Sequence, residues 1–238
     1  MQDFKGRCWF VRVILTVLLQ LPVNTAIAAD SDTSAGLALT AAEQAWLALH
    51  PIIRLAPDPD FPPIEFLDSN GHYRGIAADY AALVEQKLGI KFTLVHLESW
   101  DEVLEQAQRR EIDMFGAASE SPQRAKYMAF TRPHIQLPGV IIINKDAAGG
   151  TGLTDFMDRR VGVVSGYIWQ DLILNDHPTM QLQPVADLRT GLKRVAFGEM
   201  DAMVANLATA SWYLQRETGL VECRLDQHEC RCHHDRAR

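Results

Sequence analysis

The chain has 238 residues, 47% hydrophobic and 22% charged, with a formal net charge of −7. This is the composition of a globular protein long enough to bury a core in one large or two small domains, and it excludes a disordered or fibrous chain. Its acidity argues against a nucleic-acid partner, because phosphate binding needs a basic face.

Residues 1–28 read as an export signal. Lys5, Arg7 and Arg12 precede the apolar stretch Val13–Val23, and Ala26-Ile27-Ala28 supplies the small residues for cleavage near Ala28, which predicts a periplasmic location. The apolar run is too short to span a bilayer comfortably. These residues hold three bases and one acid, so the remainder carries −9. Cys8 lies in this segment and the other three cysteines at 223–232, so residues 29–222 are no disulfide scaffold.

Asp30–Leu39 is small and polar, a linker, and Thr40–His50 a short helix capped by Thr40 with Glu43 three positions on. A strand over 52–56 follows, then a hairpin, Ile64–Leu67 and His72–Arg74, around an Asn70-Gly71 turn. Ile76, Tyr80, Leu83, Val84 and Leu88 share one face of a helix that ends at Gly89. Next come a strand over 91–95, a helix over 100–109 with Val103, Leu104 and Ala107 inward, and a short strand over 113–116. After a polar loop, Val140–Ile143 reads as a buried strand. Strands over 161–164, 180–184 and 202–205 then alternate with helices over 167–175, 188–197 and 207–216. Such alternation predicts a mostly parallel sheet with helices on both faces.

Glu111-Ile112-Asp113-Met114 and Glu199-Met200-Asp201-Ala202 each follow a helix and open a strand. This echo suggests two similar lobes, each with a loop at the carboxyl end of an equivalent strand, where open α/β sheets bind ligands.

Three loops carry candidate binding residues. In Asp58-Pro59-Asp60-Phe61-Pro62-Pro63 the prolines make a rigid, extended segment that either presents Asp60 and Phe61 to a cleft or forms a surface turn. In Ser119-Glu120-Ser121-Pro122-Gln123-Arg124, Ser121 and Pro122 suit a helix start, and Arg124 in the first turn suits a carboxylate; the same pattern also fits a merely well-capped helix. Gly166-Tyr167 makes a strand–turn–helix junction in the second lobe. No hydrolase, zinc-protease or phosphate-loop signature is present, and no cofactor is implied. After Glu222 the composition changes to Cys223, His228, Cys230, Cys232, His233 and His234 among arginines, a spacing that fits no structural zinc pattern and looks more like a shifted reading frame.

At Asp58–Phe66, Gly75–Leu88, Gly116–Pro133, Val161–Tyr167 and Gly198–Tyr213 the sequence resembles the family 3 extracellular solute-binding proteins, two-lobed periplasmic binders of amino acids and related solutes. The likeness runs over about residues 50–222. The leading segment Leu39–Pro51 looks most like the sensing domains of membrane signalling kinases. The resemblance implies an α/β Venus-flytrap fold: signal 1–28, linker and leading helix 29–50, first lobe 51–137, crossover strand and second lobe 138–222, and an atypical tail 223–238. It implies that Arg124 holds a ligand carboxylate beside the Ser119 hydroxyl and the capping Ser121. Phe61 would pack on the ligand, with Asp60 and Trp100 beside it, and Gly166 and Tyr167 would form the second-lobe turn. Asn206 stands where amino-acid binders place an aspartate for the ligand ammonium, which points to a plain carboxylate instead. The expected partner is a carboxylate-bearing solute, with an inner-membrane permease or a membrane signalling module behind it. In this family the chain returns to complete the first lobe, and here the tail stands in that place, so the return is expected to be incomplete and the chain marginal in stability or a non-functional fragment. An enzyme on the same fold would need an acid–base pair, for which Asp60 and Glu120 are the nearest candidates.

Overall fold

The structure, a computed structural model, describes residues 39–148, 150, 152–217 and the backbone of 223–226. The predicted signal, nearly all of the linker and most of the tail, with its histidines and its last two cysteines, lie outside the described residues.

Helix α1 (Ala41–Leu49) starts on the predicted capping box: the Thr40 amide donates to Glu43 Oε2 at 2.7 Å and the Glu43 amide to Thr40 Oγ1 at 3.3 Å. No residue of α1 is buried, and Trp46 stacks on His50 with ring centroids 4.2 Å apart.

The first lobe contains β1 (Ile53–Ala56), β2 (Asp60–Phe61), β3 (Glu65–Leu67), β4 (Tyr73–Arg74), α2 (Ile76–Leu88), β5 (Phe92–Leu94), α3 (Trp100–Gln108) and β6 (Met114–Phe115). β1 is the middle strand of a parallel sheet ordered β5-β1-β6, and β2-β3-β4 form a separate antiparallel meander. The predicted punctuation holds: Gly71 and Gly89 have φ of +77° and +67°, the left-handed conformation that a hairpin turn and a helix C-cap favour in glycine. Leu97, Trp100, Val103, Ala107, Ile112 and Phe115 pack into this lobe's core.

Helix α2 departs from expectation. Its buried residues are Ala77 and Ala81, while Ile76, Tyr80, Leu83 and Val84 stay 38–44% exposed. Two alanines four positions apart let the helix backbone approach its neighbours closely, and the larger apolar side chains are left on the flank.

The second lobe contains β7 (Gly139–Asn144), β8 (Val161–Val164), α4 (Ile168–Asp176), β9 (Leu182–Val185), α5 (Leu188–Ala196), β10 (Ala202–Asn206), α6 (Leu207–Arg216) and β11 (Cys223–Asp226). The sheet order is β11-β7-β10-β8-β9. β8, β9 and β10 run parallel, and β7 runs against them; β11, antiparallel to β7, shares the direction of the other three, so the pairing is mixed, with two antiparallel ladders at β7 and two parallel ones beyond it. β7 shows the two-residue period of a strand buried on both faces. Val140 and Ile142 enter one core with Leu192, Val195, Met203 and Tyr213, and Ile141 and Ile143 enter the other with Val163, Trp169 and Ile173. β11 begins at Cys223, the first residue of the predicted atypical tail, so the first four tail residues lie in the sheet. Backbone pairing with the β7 edge asks nothing of side-chain pattern, so the change of composition after Glu222 does not prevent it.

The echo at 111–114 and 199–202 marks a repeated clasp. Arg54 donates through its amide and Nε to Asp113 Oδ2 at 2.8 and 2.9 Å, and Nη2 reaches Oδ1 at 2.8 Å. Arg160 makes the same three bonds to Asp201 at 2.8, 3.0 and 2.9 Å. In each lobe the aspartate amide returns a bond to the arginine carbonyl at 2.9 Å.

Candidate functional site

The chain leaves β1, β6, β8 and β10 at their carboxyl ends through the loops singled out above, and these loops meet between the lobes. Arg124 is buried, 5% exposed. It lies not in a helix but in a single 3₁₀ turn, Arg124–Lys126, held by the Arg124 amide on Ser121 Oγ at 3.3 Å. A turn this short offers little helix dipole for an anion, contrary to the expectation. The guanidinium donates to two backbone carbonyls, Ser119 O and Gly166 O, each at 2.7 Å, and lies over the Trp100 ring at 5.4 Å. Ser119 thus meets Arg124 through its carbonyl rather than its hydroxyl, and its side chain is exposed. Burial lowers the pKa of Arg124.

Gly166 joins the lobes. Its carbonyl accepts from Arg124 and from Trp100 Nε1 at 3.1 Å, its φ is +69°, and a Cβ there would come within 2.6 Å of Asp101 Oδ1. Tyr167 follows, stacked edge-on against Phe61 and Trp100 with centroids 5.5 and 6.4 Å away. Its hydroxyl donates to Asp58 Oδ2 at 2.5 Å, and Tyr213 on α6 donates to Asp60 Oδ1. Phe61 is in the predicted cleft, 9% exposed. Asn206 ends β10 opposite Gly139, is buried, and caps α6 without a side-chain hydrogen bond.

Three functional candidates escaped the sequence reasoning. Asp58 lies two residues before Asp60 across a turn at Pro59, where its carboxylate accepts the Asp60 amide at 2.9 Å, and in sequence it reads as a turn former rather than as a binding residue. Glu65 sits between Ile64 and Phe66 in a hairpin strand, where an acid reads as the solvent face, yet it is wholly buried. Tyr213 reads as helix core. Asp58, Asp60 and Glu65 take their hydrogen bonds from amides and phenols, not from basic side chains. Burial pushes the Asp58 carboxyl up to about 6, and burial together with the neighbouring Asp58 charge pushes Glu65 up to about 8. Asp60 is raised, again chiefly by burial. The cleft is therefore rich in acid and walled by aromatic rings, and the buried Arg124 guanidinium is spent on carbonyl oxygens.

Two α/β lobes with a polar, aromatic-lined cleft between equivalent loops define a two-lobed solute-binding protein. Residues 53–214 match the bacterial extracellular solute-binding proteins, family 3, and the chain belongs to that family. It is 25% identical over 179 residues to the virulence sensor protein BvgS of Bordetella pertussis, which covers 75% of this chain and 14% of the sensor. It is 22% identical over 164 residues to the putative ABC transporter arginine-binding protein 2 of Escherichia coli, covering 68% of this chain and 66% of that protein. The crystal structure of the periplasmic VFT2 domain of Bordetella pertussis BvgS superposes with a TM-score of 0.70 at 24% identity, over 79% of this chain and 80% of that one. The chain thus spans about a seventh of the curated sensor proteins that it matches.

Proposed function

We propose that this chain is the solute-binding domain of an exported sensor, and that its ligand is a small polar solute carrying a cationic group, such as a guanidinium or an ammonium. One observation carries the proposal: Asp58 and Asp60 are presented between the lobes, on aromatic walls, with phenol hydroxyls and backbone amides as their hydrogen-bond donors, and the nearby cation, Arg189 beside Tyr213, is already paired with Glu217. A buried carboxylate without a cation is costly, and a ligand cation would supply what Tyr167 and Tyr213 cannot. Phe61, Trp100 and Tyr167 would add ring faces to the same cation. The names of the arginine-binding relatives agree with such a ligand. A carboxylate on the same solute would meet Arg124 by displacing the Gly166 carbonyl, and Asn206, which offers an amide where a carboxylate would be needed, suits a neutral part of the ligand.

Binding would work by differential affinity: a solute that prefers one arrangement of the lobes shifts the population toward it. Similarity to sensor proteins and the leading helix α1 favour signalling over delivery to a permease. No catalysis is assigned, because Glu120 is exposed and Asp60 is engaged by Tyr213. Among the described residues no helix is long and apolar enough to cross a membrane. Export with cleavage near Ala28 is checked by sequencing the N-terminus of protein recovered from the periplasm.

The functional test is thermal unfolding of the chain with arginine, agmatine, lysine and putrescine, set against glutamate, succinate and glucose. A ligand that binds only the folded state raises the Tm by mass action. Rises confined to the cations, and lost in Asp58→Asn, support the proposal. A rise with succinate that survives Asp58→Asn and disappears in Arg124→Ala assigns the site to plain carboxylates instead.

A further inference from the structure

β1 and β6 are neighbouring parallel strands, with Leu55 beside Met114 and Ala56 beside Phe115, so their following loops leave the sheet side by side. The first loop carries Asp58, Asp60 and Phe61, and the second leads to Arg124. A single side chain from β3 joins them. Glu65 Oε1 accepts the Asp58 amide at 3.1 Å and the Ala117 amide at 3.0 Å, while Oε2 accepts the Tyr73 hydroxyl at 2.8 Å. Glu65 is 0% exposed, and its space is reserved: a Cβ on Gly116 would lie 1.9 Å from Glu65 Oε2 and 2.3 Å from the Tyr73 hydroxyl. The titratable groups that act on it are Asp58 from the β1–β2 segment, Tyr73 from β4 and Tyr167 from the second lobe, and none is basic.

We propose that Glu65 is the positioning residue of the ligand face, one buried carboxyl that registers the Asp58 loop against the Ala117 loop and so sets where Asp58, Asp60 and Arg124 meet a solute. The inference rests on the cleft being the ligand site. A buried carboxyl that accepts two loop amides and one phenol fills its space as an apolar side chain could; what it adds to that packing is registry between segments that the sheet alone leaves free beyond Phe115.

The test uses the whole chain with Glu65→Gln and Glu65→Ala. Glutamine keeps an oxygen for both amides and turns an NH₂ toward Tyr73, so it mimics the protonated acid. In Glu65→Ala the Asp58 and Ala117 amides should exchange at least ~10-fold faster by NMR, with β10 amides unchanged, and in Glu65→Gln both should stay protected. The affinity for L-arginine should fall at least ~10-fold in Glu65→Ala and under ~3-fold in Glu65→Gln. The wild-type unfolding midpoint should decline as pH rises from 5 to 8, and Glu65→Gln should flatten that decline, which a merely space-filling residue would not do. Unchanged protection of both amides in Glu65→Ala, or loss of β10 protection along with them, overturns the positioning role. Failure of arginine to bind the wild type counts against the ligand proposal instead, and the exchange data decide Glu65 without it.

Discussion

Asp58 carries the largest functional prediction because it is 4% exposed and its side chain spans the lobes to Tyr167. Asp58→Asn keeps the shape but removes the charge, and the affinity for a cationic solute should fall about 10- to 100-fold, measured by calorimetry. The pH dependence follows from the same burial. Asp58 has a carboxyl raised to about 6, so below that value it holds its proton and offers no charge to a cation; Glu65, raised to about 8, is turned on the loop amides and bears on stability. Affinity for arginine should therefore rise as pH rises from 5 to 8. Stability runs the other way. Between the unfolded carboxylate range and the raised folded value the folded state binds more protons, so stability is greatest at low pH and is lost as pH rises toward 8. Midpoints in urea at pH 5 and pH 8 check the second sign, and calorimetry at the same two pH values checks the first.

That Arg124, Phe61, Tyr167 and Gly166 lie on loops following strands is legible in the sequence, because turn chemistry and residue type point the same way there. Glu65 was not: period-two alternation tells which residues share a face, never whether that face looks out or into a second small sheet.

At the scale of elements, nearly every predicted helix and strand is present, and the Arg–Asp clasps give the internal echo a physical cause. Each aspartate caps a backbone amide and grips an arginine at the amino-terminal end of its lobe's parallel strands, the end away from the cleft. The α2 stripe was misjudged because a helix with alanines on one flank and large apolar residues on another has two possible inward faces, and only the neighbours choose between them. The contrast is measurable. Leu83→Lys on the exposed stripe should change stability by under ~0.5 kcal/mol. Leu192→Ala on α5, a position with 0% exposure, should cost about 2–5 kcal/mol. Chemical denaturation of both variants decides it, and a large loss in Leu83→Lys would show that the stripe is covered in solution.

For the whole molecule, the arrangement of the two lobes hangs on a few contacts that cross the cleft: Arg124 and Trp100 on the Gly166 carbonyl, Tyr167 on Asp58 and Tyr213 on Asp60. Gly166→Ala disfavours the φ of +69° and pushes a methyl toward Asp101 and Leu104. The lobes should then separate, seen as a larger radius of gyration by small-angle X-ray scattering with the secondary structure unchanged; an unaltered radius would show that the turn does not govern closure.

The sequence by itself determined the order of elements and the loops that follow the strands, because capping, turn chemistry and periodicity act over a few neighbouring residues. Only the tertiary structure decided that β7 runs against its neighbours β10 and β11, that Arg124 spends its donors on carbonyls, and that Asp58 and Asp60 meet tyrosines 109 and 153 positions away. Those pairings depend on which surfaces the folded lobes bring together, and no local preference encodes a partner at that distance.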